Sequence, residues 1–155
     1  TISSWVTRED RRTAQEYPDS VPWPLSLCTW DCWCYAPWLL YHCDLNDGPI
    51  RVYDIRASNL KGRLLSKPDP YVKVWCGSSH GKSSILKKQA NPTWPDQFNF
   101  VNILPNSVLT LQVWDDVIGP DRYMGTCSTT ICPGTHTEIC QLKMSTVYYT
   151  YSYSH

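Results

Sequence analysis

From residue 48 onward, apolar and polar positions alternate over short runs closed by Gly, Pro, Asn or Asp. In "LTLQVWD", Leu109, Leu111 and Val113 fall on one face, while Thr110, Gln112 and Trp114 fall on the other. That is the period of a half-buried strand. The runs at 50–57, 71–77, 82–88, 96–102, 108–115, 123–128, 136–142 and 145–153 read the same way. Eight closely spaced strands without a convincing helix predict an all-β, antiparallel sandwich. Periodicity does not choose among sandwich topologies, and an immunoglobulin-like one fits it equally.

Residues 1–47 keep no such period. "TREDRR" at 7–12 is a charge run suited to a solvated segment. "VPWPLSLCTWDCWCYAPWLLYHC" at 21–43 crowds four tryptophans, three prolines and four cysteines together. The prolines forbid a regular helix, and the cysteines predict an irregular arm stapled by disulfides. The organisation expected is therefore an arm over 1–47 and a sandwich over 48–155. The arm's tryptophans suit cover for a sheet face, or a contact with another protein if exposed. Cys28, Cys32, Cys34, His42 and Cys43 could clasp zinc, but their spacing matches no paired-knuckle pattern.

Eight cysteines in 155 residues place the chain in an oxidising compartment, so a secreted, extracellular protein is expected. A formal net charge of zero argues against a nucleic-acid binder relying on a basic field. The longest apolar run, "CYAPWLLY" at 34–41, is too short to span a bilayer. Among the four histidines, His80 is expected in a hairpin turn, and no nucleophile elbow, metalloprotease motif or phosphate loop accompanies them. An enzyme is not expected.

More specific are "PDPYVKVW" at 68–75, "NPTWPDQFNF" at 91–100 and "VWDD" at 113–116 followed by Met124-Gly125. In order and spacing these pieces resemble a C2 domain, over about residues 48–155. The tail "GTCSTTICPGTHTEICQL" is most similar to the C2 domains of perforin-type proteins. The resemblance implies an eight-stranded sandwich whose loops at one end bind calcium and then phospholipid. It also implies a Cys127–Cys140 bridge, and suggests a role in innate immune defence. Cys76 and Cys132 are each left to tie to the arm.

The resemblance implies loop carboxylates at Asp69 and Asp115, where calcium needs several converging oxygens. Arg63 stands where the first carboxylate should be, and Val117 where another should be. The third loop is one residue short, which leaves Asp116 or Asp121 to fill the vacancy. A calcium site with a reduced ligand set is thus expected from Asp69, Asp115, Asp116 and Asp121. Asp69, between Pro68 and Pro70, also suits a corner with no cation at all. The apolar Leu64, Leu65, Val117 and Ile118 would enter lipid, with Tyr123 at headgroup level. Lys73, Lys82, Lys87 and Lys88 form a candidate basic lipid patch, Lys87 and Lys88 pointing to opposite faces of a strand. The competing expectation is a calcium-independent scaffold that binds another protein.

Overall fold

The computed structural model describes residues 47–154. The expectations for residues 1–46, including the stapled arm and its tryptophan cover, lie outside the described residues. Those described form nine strands and no helix: β1 (Gly48–Ser58), β2 (Pro70–Cys76), β3 (Ser79–Lys82), β4 (Thr93–Trp94), β5 (Phe98–Ile103), β6 (Val108–Asp115), β7 (Arg122–Thr130), β8 (Gly134–Gln141) and β9 (Thr146–Tyr153). One sheet runs β4-β1-β9-β8, with β5 also paired to β1; the other runs β3-β2-β6-β7. Every pairing is antiparallel.

Alternation puts Val72, Val74 and Cys76 of β2 and Leu109, Leu111 and Val113 of β6 into the core. They face Tyr149, Tyr151 and Tyr153 of β9 and the inward side of β1. On β1 the buried set changes phase, from Ile50 and Val52 to Ile55 and Ala57. A bulge causes this: Asp54 takes φ 50°, and the pairing with β9 skips between Tyr53 and Arg56. Two of the buried aromatics satisfy their polar atoms on backbone, Tyr153 donating to the Ile103 carbonyl and Trp94 to the Pro70 carbonyl.

The expected strand over 82–88 is corrected. Strand β3 lies earlier, at Ser79–Lys82, and His80 sits within it opposite Trp75 rather than in the turn. Beyond Lys82 the Ser83 hydroxyl accepts the Val72 N–H, a bond a ladder would give to a carbonyl. The Leu86 and Gln89 amides then reach the Pro70 and Pro68 carbonyls. Proline returns no N–H, so the exchange stays one-sided and 83–88 never becomes a strand. The count rises from eight strands to nine because Thr93–Trp94 pairs with Ile55 and Arg56, limited to two residues by Pro92 and Pro95.

The disulfide joins Cys127 on β7 to Cys140 on β8, bridging the outermost strand of one sheet to that of the other. Cys132 is also disulfide-bonded. Cys76 is not: its thiol is free and wholly buried in the core, which overturns its expected tie to the arm. Burial pushes that thiol up to about 11. Native protein treated with iodoacetamide near neutral pH should leave the Cys76 peptide unmodified, and guanidinium should expose it to full alkylation. Peptide mass mapping distinguishes the two states.

Candidate functional site

Four connections meet at one pole of the sandwich: 59–69, 83–92, 116–121 and 142–145. Asp69 ties three of them together. Its amide donates to Asp115 Oδ1 at 2.8 Å, and its carbonyl accepts the Asp116 amide at 3.0 Å. Its Oδ1 accepts the Lys88 amide at 2.8 Å. Lys88 is turned into the left-handed region, φ 55°, to deliver that bond.

All four expected carboxylates come to this pole, yet each is already engaged. Asp115 is 2% exposed, and its Oδ2 faces Arg122 Nη2 at 3.1 Å. Arg122 also donates to the Lys61 carbonyl, so one guanidinium ties the base of the third loop to the first. Lys87 Nζ stands 3.0 Å from Asp116 Oδ2 and 3.6 Å from Asp69 Oδ2. The hydrogen bond to Asp116, assisted by both acidic charges, raises the pKa of Lys87 above the ordinary lysine range. Asp121 Oδ2 accepts the Tyr71 hydroxyl. Burial first, and that bond second, push the Tyr71 phenol upward.

Calcium requires six to eight oxygens converging on one point. Among the described residues, no three His, Cys, Asp or Glu side chains converge in that way. Neither Asp116 nor Asp121 takes up the vacancy left by Val117; one turns to Lys87 and the other to Tyr71. Ammonium and guanidinium groups stand beside the carboxylates where a cation would have to enter. The arrangement does not fit a calcium ion.

The apolar residues divide. Leu64 and Leu65 occupy the centre of a turn closed by the Ser66 amide on the Arg63 carbonyl, 3.1 Å. They are 99% and 104% exposed, as far into solvent as a side chain can stand. Leu64 holds φ 56° there, a strained setting for leucine. Ile118, at 101%, caps the third loop, while Val117 is half-buried. Tyr123 is no loop tip: it lies on β7, edge-on to Trp114 and hydrogen-bonded to Thr126. Sequence reasoning missed Met144, 60% exposed at the same pole. The signal was the four-residue gap between β8 and β9, and Asn59 ties that turn to the first loop through the Met144 carbonyl.

Charge follows the same geometry. Lys61, Arg63 and Lys67 belong to the first loop, Lys87 and Lys88 to the second, and Arg122 and Lys143 to the roots of the others. Those seven stand against the four aspartates, an excess of three positive charges in a chain whose formal net charge is zero.

The four lysines of the expected patch fall into two structural settings. Lys73 and Lys82 are register partners on β2 and β3, lying over the Trp114 and Tyr71 rings at 4.3 and 4.4 Å. Lys87 and Lys88 leave that face for the loop pole, because 83–88 is not a strand whose alternation could aim them.

The C2 domain family profile matches residues 48–146. Mouse Perforin-1 is 31% identical over 103 residues, covering 64% of this chain and 19% of that protein. Arabidopsis Protein C2-DOMAIN ABA-RELATED 1 is 34% identical over 87 residues, covering 56% of this chain and 52% of that protein. The chain thus spans about a fifth of the one and half of the other. A solved structure of a C2 domain superposes with a TM-score of 0.67 at 35% identity, over 70% of this chain and 99% of that one. A C2 domain of plant Extended Synaptotagmin 1 shares the fold at 22% identity, TM-score 0.63, over 72% of this chain and 97% of that one.

Proposed function

The chain belongs to the C2 domain family, and from that premise we propose that it is a secreted binding module, not an enzyme, that attaches to anionic phospholipid surfaces by its loop pole. The observation that carries this reading is the pair of fully exposed leucines at the apex of a turn, with Ile118 and Met144 exposed at the same pole. Nothing in the fold requires leucine at so exposed a turn, whereas lipid rewards each one by roughly 1.5–3 kcal/mol. The surrounding excess of lysine and arginine adds about 1 kcal/mol per residue near an anionic leaflet. The Cys127–Cys140 bridge supports the extracellular assignment.

The test is co-sedimentation of the full chain with phosphatidylcholine vesicles, with and without about a third phosphatidylserine. The expected result is pelleting with the anionic vesicles that weakens as salt is raised, because exposed charges are screened. Pelleting with neither vesicle would sink the membrane reading and leave a scaffold whose partner is another protein. A second lipid contact is favoured by one observation, the ring-backed ammonium groups of Lys73 and Lys82. If it operates, Lys73→Ala with Lys82→Ala should weaken binding to phosphoinositide-containing vesicles about tenfold, with phosphatidylserine binding nearly unchanged. Equal losses on both vesicles would show only a general charge effect.

A further inference from the structure

We propose that Lys87 is a built-in cation occupying the place a divalent metal would take between the loops, so that this pole is assembled and lipid-competent without calcium. The lipid half of this inference rests on the function proposed above; the metal half stands apart from it. Lys87 reaches carboxylates from two loops, Asp69 from the first and Asp116 from the third, while belonging itself to the second. That is the bridging a metal ion would perform, done by an ammonium group on a flexible stem. The Lys88 amide on Asp69 Oδ1 and the Gln89 amide on the Pro68 carbonyl anchor the chain beside Lys87. Arg122 does the same for Asp115 at the loop's root. With these cations in place, the pole already carries positive charge in excess, so no added ion is needed to relieve repulsion from anionic lipid. Arg63, standing where the resemblance implies a carboxylate, contributes to the same end.

The metal half is read without lipid, from the melting temperature of the full chain in chelator and in millimolar calcium. The native chain should melt at the same temperature in both. Lys87→Gln removes the charge and leaves Asp69 and Asp116 facing each other. This variant should melt lower in chelator and gain roughly 3 °C or more on adding calcium. Lys87→Arg, which keeps the charge, should remain insensitive to calcium. A calcium-dependent rise in the native chain would overturn the inference, since the metal would then displace Lys87. An insensitive Lys87→Gln would overturn it too, by showing that Lys87 makes an ordinary surface ion pair and stands in for nothing. The lipid half is read from vesicle pelleting of the native chain, which should be equal in chelator and calcium. Pelleting only in calcium would overturn this half, while pelleting in neither buffer fails the proposed function itself and leaves the melting result standing.

Discussion

Replacing Leu64 and Leu65 together with aspartate should weaken binding to anionic vesicles by at least about a hundredfold and leave folding stability unchanged. Two leucines entering lipid contribute roughly 3–6 kcal/mol, and 1.4 kcal/mol is a factor of ten in affinity. Two new carboxylates at the point of closest approach add repulsion from the anionic surface. Folding should not suffer, because both side chains are fully exposed and surface substitutions usually stay within about 0.5 kcal/mol. Aspartate also tolerates the left-handed setting of Leu64 better than leucine does. The control is Leu104→Asp. Leu104 is also exposed, but follows β5 at the opposite pole, and its loss should leave binding intact. Equal losses from the two substitutions would mean that generic hydrophobicity, not the loop pole, drives adsorption.

The largest effect on stability is expected at Asp115. Asp115→Ala should cost about 3 kcal/mol in denaturant unfolding, the low end for breaking a buried ion pair, because Arg122 keeps partial contact with water. The substitution strands two groups: the Arg122 guanidinium, and the Asp69 amide that Asp115 Oδ1 accepts. Asp115→Leu combined with Arg122→Leu should recover part of the loss, since removing both charges ends the uncompensated burial. A single substitution costing less than about 1 kcal/mol would show that the pair is solvated rather than buried. By contrast, the Lys87 pair lies in solvent, and its removal should change calcium response far more than stability.

How much of this could be read from the chain differs by region. Strand β6 was legible to the residue because its alternation is uninterrupted and it is paired on both sides, to β2 over 109–115 and to β7 over 108–115 with one bulge after Val113. The C2 resemblance and the Cys127–Cys140 bridge were legible from motifs. The segment 82–88 was not: Lys-Ser-Ser-Ile-Leu-Lys-Lys sets its two apolar residues side by side and keeps no strand period, and the facing chain offers Pro68 and Pro70, which return no N–H. The site followed the same logic. Sequence placed four aspartates at one pole correctly, but their partners come from elsewhere: Lys87 from another loop, Arg122 and Tyr71 from strands. Spacing within one loop carries no information on what another element delivers to it. Met144 escaped for the same reason, since only the return of β9 beside β1 brings it to the loops.

The pairing of Ile50 with Tyr153, with the Ser154 amide on the Pro49 carbonyl, puts both ends of the described chain side by side at the pole opposite the loops. Held by its loops and pulled at Ser154, the domain would transmit load along the length of β9, straining many ladder bonds at once. Pulled apart by its two ends in free solution, the same β1–β9 ladder would open like a zipper, one bond after another. Anchoring at the loop pole would therefore give this sandwich a mechanical polarity: it would resist tension running from the anchored loops to Ser154, and yield to tension applied across the two described ends.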